Sequence, residues 1–146
     1  MSDKVITHSK LISTTPDQLW ELLVDPSRHS EIDGSGTVQG SRVGAERLTA
    51  VGDTFGMSMR YWGVVPYKIT NTVVTFEDGR EIAWRHFGRH VWRWQLEPAE
   101  GGTMVTESFE WDQAFLGPTY GPFRILQQND EAIQKTLEHL QGRFAA

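Results

Sequence analysis

Cysteine is absent from this sequence. Its absence excludes disulfide bonds, thiolate nucleophiles and cysteine-ligated zinc, and it suits a reducing compartment. The sequence also lacks a run of about 18 apolar residues of the kind that spans a membrane, and its first residues lack the apolar stretch of a secretory signal. We therefore predict a cytoplasmic protein that makes no stable insertion into a membrane.

Positive charge is sparse as well. Lysine and arginine total 14 against 19 aspartate and glutamate residues, which gives a formal net charge of −5. Such a chain repels a phosphate backbone, so nucleic acid is not an expected partner. The 146 residues contain no linker or repeat and suffice for a core without disulfides. We expect residues 1–146 to form a single domain, and a homodimer stays an open alternative.

Aromatic residues, by contrast, are abundant, with six tryptophans and seven phenylalanines. Large side chains, most of them rings, alternate on both sides of Gly88, at Ile82, Trp84 and His86 and then at His90, Trp92 and Trp94. This alternation predicts two strands of one hairpin with a shared aromatic face. A three-residue loop centred on the glycine places Trp84 opposite Trp92, and His86 opposite His90 near the turn. The aromatic face needs either a thick core or a ligand to cover it.

Capping, turn and periodicity signals in the sequence predict the remaining helices and strands. Residues 4–14 read as a strand, and Thr15 before Pro16 is typical of a helix start, with Gln18 completing a capping box. That helix ends near Val24, and a second short helix is predicted from Pro26 to about residue 32. An antiparallel meander follows over 37–111. A long amphipathic helix covers 123–141, with Gly142 as the residue after its end. The predicted class is α+β. Along the chain, one strand is followed by two helices, five or six strands and a last helix (β-α-α-β5/6-α), and the sheet is expected to curve around that last helix.

Three segments carry a family resemblance: Thr15-Pro16 before the leucines at 19–23, Asp25-Pro26-Ser27-Arg28, and the strand 92–98 leading to Gly101-Gly102 and the strand 103–106. On these segments and its element order the chain resembles the SRPBCC superfamily, which includes START-like lipid carriers and polyketide cyclase/dehydrase-type proteins. The resemblance implies the helix-grip fold and a cavity between sheet and long helix that holds an apolar molecule. The matching positions are strands, turns and caps, so they indicate the fold well and the activity poorly. The family has no universal catalytic set to carry over to this chain.

Glu107 is the first candidate for chemistry. It shares the apolar parity of its strand with Val105 and Phe109, which predicts an interior carboxylate whose neutral form is favoured by burial. Such a group can donate a proton or anchor a ligand hydroxyl or amine. The alternative is a carboxylate near the open end of the sheet that is hydrated or paired with an arginine. The catalytic candidates are Glu107, His86 and Tyr61. The expected ligand-binding residues are Met57, Met59, Tyr61, Tyr67, Asn71, Trp84, His86, Trp92, Trp94, Glu107, Phe109, Trp111, Ile133 and Leu137.

Three functional hypotheses follow. The first is a carrier or binding protein for a small hydrophobic molecule, lipid-like or ring-containing. The second is an enzyme of the polyketide cyclase, aromatase or dehydratase kind that moves protons with cavity residues. The third is a protein-interaction module with an apolar patch around Phe115, Leu116 and Tyr120. No cofactor is expected, and no metal, because His86 and His90 lack a third ligand at a suitable spacing. Arg85 and Arg93, on the other face of the hairpin, are expected to be solvated beside Glu81.

Overall fold

The computed structural model describes residues 5–25, 28–29, 38–41, 47–61, 65–85, 90–110 and 122–144. These residues form, in chain order, β1 (Val5–Ile12), α1 (Pro16–Val24), β2 (Val38–Ser41), β3 (Thr54–Tyr61), β4 (Val65–Glu77), β5 (Glu81–Arg85), β6 (Val91–Ala99), β7 (Gly102–Glu110) and α2 (Pro122–Arg143). The predicted α+β class and the long C-terminal helix are confirmed, and six strands follow α1 in the described part of the chain.

The strands form one antiparallel sheet with the order β1-β7-β6-β5-β4-β3-β2. Strands β2 to β7 are each paired with their neighbours in the chain, whereas β1 pairs with β7. The predicted hairpin register is confirmed, since Trp84 lies opposite Trp92 and Ile82 lies opposite Trp94. A bulge between Val73 and Thr75 shifts the pairing of β4 with β5 by one residue.

Helix α1 starts where the capping signal predicts. The Gln18 backbone N–H donates to the Thr15 hydroxyl oxygen over 3.4 Å, which satisfies one of the free N–H groups of the first turn. The side chain of Gln18 does not complete the capping box and instead accepts a hydrogen bond from the Thr14 hydroxyl. Of the second predicted helix only Arg28 and His29 are described, and both are helical; the rest lies outside the described residues.

Helix α2 packs on β1 and β7. Its apolar stripe places Ile133, Leu137 and Leu140 in the core, and the polar side is tied to β1 where His8 Nε2 lies 2.5 Å from Asp130 Oδ1. The prediction that Gly142 follows the helix was wrong, because the helix continues to Arg143. The Phe144 N–H still reaches the Leu140 carbonyl over 3.2 Å, so the last turn keeps a helical hydrogen bond past the glycine.

The outer face of the sheet differs from expectation at Arg93. Arg85 is exposed as predicted, but the Arg93 side chain is 22% exposed and lies between Glu81 and Glu110. Its Nε is 2.6 Å from Glu110, and its Nη1 is 2.5 Å from Glu81. The hydrogen bond to Glu110 raises the pKa of Arg93 above its ordinary value, against the opposing effect of burial. The predicted pairing with Glu81 is confirmed, but the expectation that Arg93 is solvated was wrong, because carboxylates from both neighbouring strands enclose the guanidinium.

Candidate functional site

Three aromatic rings cross the inner face of the sheet on neighbouring strands. Phe109 lies opposite Trp92, and Trp92 lies opposite Trp84, so one ring comes from each of β7, β6 and β5. The ring centroids of Trp92 and Phe109 are 4.7 Å apart at an interplanar angle of 51°. We call Phe109, Trp92 and Trp84 the aromatic floor. Sheet pleating puts all three on one side because they occupy directly opposed positions.

The three rings of the aromatic floor are covered to different degrees. Phe109 and Trp84 are buried, at 1% and 9% exposure, whereas Trp92 is only partly buried against the core. Trp84 is covered by two rings of the protein: His29 stacks on it at 5.0 Å and 19°, and Phe55 meets it edge-on at 5.3 Å and 87°. The accessible part of the floor is therefore the surface of Trp92.

His29 is a residue of this site that the sequence reasoning missed. It is buried, and its Nε2–H donates to the Leu23 carbonyl oxygen over 2.7 Å, at the end of α1. Burial lowers the pKa of His29 to about 4, although the hydrogen bond to Leu23 favours the charged ring. The imidazole is therefore neutral at pH 7. The only signal in the sequence is its place three residues after Pro26, inside the second predicted helix, which begins two residues after the end of α1.

Buried polar side chains accompany the aromatic floor. The prediction that Glu107 is an interior carboxylate is confirmed, as it is 6% exposed and lies opposite Trp94 on one side and His8 on the other. Asn71 is 3% exposed and lies opposite Phe55. His90 is also buried, with its ring 5.2 Å from that of Phe109. An apolar surface with a few polar groups at its border is typical of small-molecule sites.

Trp94, Ile133 and Leu137 lie in the packed core, in the same hydrophobic cluster as Phe109 and Trp84. Trp94 lines a cavity of about 10 Å³ together with Leu19, Leu22, Leu23, Leu96, Val105 and Leu140. A space of this size holds at most one water molecule, and its apolar lining offers that water no partner. The helix α1 leucines thus cover the Trp94 ring, so the structure does not bring Trp94 to the open part of the aromatic floor.

Several predicted residues fall outside the described part. His86 and Trp111 lie outside the described residues, and so does the predicted facing of His86 and His90. The backbone places Met57, Met59 and Tyr61 on β3 and Tyr67 on β4, with Met59 opposite Tyr67, but their side chains are not described. The apolar patch around Phe115, Leu116 and Tyr120 also lies outside the described residues. The roles proposed for all these residues stay predictions.

Metal and membrane features can be assessed for the described ranges only. Within them, no group of three or more histidine, aspartate and glutamate side chains is arranged to hold a metal ion. Neither of the two described helices combines the length and the apolar character needed to cross a bilayer.

Comparison with known proteins identifies the family. Residues 4–145 match the family model described as polyketide cyclase / dehydrase and lipid transport. The chain belongs to this family. This match confirms the predicted resemblance to the SRPBCC superfamily. A similar protein, the uncharacterized protein Rv0088 of Mycobacterium tuberculosis (strain ATCC 25618 / H37Rv), is 31% identical over 145 residues, which cover 96% of this chain and 64% of the relative. The chain thus spans less than two thirds of the curated relatives it matches.

Solved structures of similar fold extend this family assignment. Protein NE0264 from Nitrosomonas europaea superposes with a TM-score of 0.76 at 12% identity, covering 97% of this chain and 94% of that one. The AHSA1-like protein from Aeromonas hydrophila gives a TM-score of 0.70 at 17% identity, covering 95% and 93%. At these identities the likeness establishes the helix-grip fold of this polyketide cyclase/dehydrase and lipid-transport family member, and no more.

Proposed function

We propose that this protein binds a small hydrophobic molecule containing a flat ring, held on the inner face of the sheet over Trp92. The observation that carries the proposal is the partial exposure of Trp92, although its strand position points it inward between Phe109 and Trp84. An inward tryptophan that the protein covers only in part offers a planar ligand an aromatic surface. The family description, which includes lipid transport, supports a carrier or binding role.

Glu107 supplies the polar end of this proposed site. It precedes Phe109 by two positions on β7 and is therefore the diagonal neighbour of Trp92 on the same face. Its carboxyl group can accept a hydrogen bond from a ligand hydroxyl or amine. We expect ligands with one such group to bind more tightly than pure hydrocarbons, because a hydrogen bond made in an apolar setting adds to the ring contact.

Binding of N-phenyl-1-naphthylamine, whose fluorescence rises in apolar surroundings, tests the proposal. Removing the ring in Trp92→Leu is expected to weaken binding about tenfold, because the ligand loses an aromatic contact of about 1.4 kcal/mol. Met104→Leu, a change at an exposed apolar residue of the outer face, serves as the control and is expected to bind as the original protein does. Equal affinity of Trp92→Leu and the control would contradict binding over Trp92.

An enzyme is the second candidate, favoured by the burial of Glu107 beside the aromatic floor and by the cyclase and dehydrase part of the family description. In this alternative the Glu107 carboxyl group exchanges a proton with a poly-ketone substrate. Glu107→Gln keeps the shape but cannot ionise. Loss of turnover of a poly-ketone with retained binding of N-phenyl-1-naphthylamine identifies an enzyme, whereas no turnover by the original protein favours the carrier.

A further inference from the structure

The imidazole ring of His29 covers one end of the aromatic floor, at Trp84. Its imidazole plane lies 19° from the plane of the Trp84 indole, with the ring centroids 5.0 Å apart. The edge of Phe55 meets each of the two rings at 5.3 Å. Offset-stacked and edge-to-face contacts are the arrangements that aromatic rings prefer. A planar aromatic ligand on Trp84 would therefore need the place that His29 takes.

This covered end borders the open part of the floor. Trp84 and Trp92 are directly opposite each other on β5 and β6, and neighbouring strands lie about 4.8 Å apart. Trp84 is 9% exposed, whereas Trp92 is only partly buried. The accessible aromatic surface therefore ends at the strand where His29 begins to cover it.

His29 is fixed in this place by the end of α1. Its Nε2–H donates to the Leu23 carbonyl oxygen over 2.7 Å, and Leu23 itself is part of the hydrophobic core. The bond orients the ring, and burial keeps it uncharged at neutral pH. A side chain held at one nitrogen by the backbone does not swing aside readily when a ligand presses against it.

We infer that His29 determines the size of ligand that the site accepts, by closing the aromatic floor at Trp84 and confining the ligand to the surface of Trp92. This inference rests on the proposed function, because it assigns a boundary to the same site. It makes His29 a specificity-determining residue: a small ring system fits over Trp92, and a larger fused system meets the imidazole.

Equilibrium dialysis with naphthalene and with pyrene tests this inference, because the two hydrocarbons are rigid and differ in length. His29→Ala exposes Trp84, and the ratio of pyrene affinity to naphthalene affinity is expected to rise about tenfold, since the longer ligand can bury additional apolar surface. His29→Phe restores a ring and is expected to keep the original ratio. Met104→Leu, a change on the exposed outer face of the sheet, is the control and is expected to leave the ratio unchanged.

The outcomes separate this inference from the proposed function. If the original protein binds naphthalene but the ratio does not change in His29→Ala, the size limit is refuted and binding over Trp92 stands. If the original protein binds neither hydrocarbon while His29→Ala binds one of them, the role of His29 as a cover is supported and the proposed function fails. If no variant binds either, both fail. His29→Val, which keeps more of the core volume, replaces His29→Ala if the alanine variant does not fold.

Discussion

At the scale of single residues, burial decides what the polar side chains can do. Arg93 is enclosed by two carboxylates and stays charged, whereas His29 is enclosed by rings and stays neutral. The difference follows from the cost of placing a charge in apolar surroundings, which only an opposite charge offsets. The same cost makes His29 a source of acid sensitivity.

Acid is expected to destabilise the fold through His29. Its ordinary pKa is 6.5, and in the folded protein it is lowered to about 4. Above pH 6.5 the His29 ring is neutral in both the folded and the unfolded protein. Between pH 6.5 and about 4 the ring binds a proton in the unfolded chain but not in the folded protein. The free energy of unfolding therefore falls as the pH falls through this range. The loss from this group is roughly 3 kcal/mol in total.

Urea unfolding of the original protein and of His29→Phe at pH 7 and pH 4.5 measures this loss. We expect the free energy of unfolding to fall by less in the variant. Two aspartates also contribute to acid sensitivity, since the Thr49 backbone N–H lowers the pKa of Asp53 and the Gln134 side chain lowers that of Asp130. Their contributions are lost only toward lower pH and are common to both proteins. An equal pH dependence of the two proteins would show that His29 is not neutral in the fold.

At the scale of elements, the contact between β1 and β7 depends on a glycine. Gly102 begins β7 with a φ of 151°, and a Cβ at this position would lie 2.0 Å from the Ile12 carbonyl oxygen. The Ile12 carbonyl belongs to the backbone, which cannot move aside as the end of a flexible side chain can. The end of β1 therefore approaches β7 more closely than any other residue type permits.

Gly102→Ala is expected to lower the free energy of unfolding by at least about 3 kcal/mol, because the strand must move away from Ile12. Gly79→Ala is the matched control: its φ is 76°, but a Cβ there meets nothing within 4 Å. It is expected to cost about 1 to 2 kcal/mol from the backbone conformation alone. Urea unfolding of both variants measures the difference, and equal losses would contradict a steric role for Gly102.

Elements with local signals could be predicted, and those that depend on tertiary packing could not. The Thr15 cap and the register of Trp84 with Trp92 follow from residues close together in the sequence. The bulge after Val73 has no such signal. The alternation of rings predicts an aromatic face, but which ring stays open depends on the side chains that cover it. The sequence does not show that His29 would reach Trp84, because that contact joins residues from distant segments.

At the scale of the whole molecule, the sheet contains strand pairs that are close in the sequence and one pair, β1 with β7, that is far apart in it. Ile82 pairs with Trp94 in the hairpin of β5 and β6, whereas Ile12 pairs with Thr103 across most of the chain. Closing the longer loop costs more chain entropy before any contact is gained. We therefore expect the hairpin to form early in folding and β1 to join late.

Folding kinetics of Ile12→Val and Ile82→Val test this order. Both isoleucines are fully buried, so each change is expected to cost about 0.5 to 1.5 kcal/mol. In stopped-flow measurements over a range of urea concentrations, Ile12→Val is expected to speed unfolding and Ile82→Val to slow folding. A slower folding rate in Ile12→Val would show that β1 pairs before the rate-limiting step.

The stacking of His29 on Trp84 also bears on how the protein exists without cargo. A carrier emptied of its ligand must expose to water the surface that the ligand covered. Here the chain itself covers Trp84, so a ligand bound over Trp92, as proposed, would uncover only that one of the two paired indoles when it dissociates. At roughly 25 cal/mol for each Å² of apolar surface, hydrating one ring instead of two lowers the cost of the empty state. Under the proposed function, the protein without ligand therefore exposes less apolar surface than it would with both indoles uncovered.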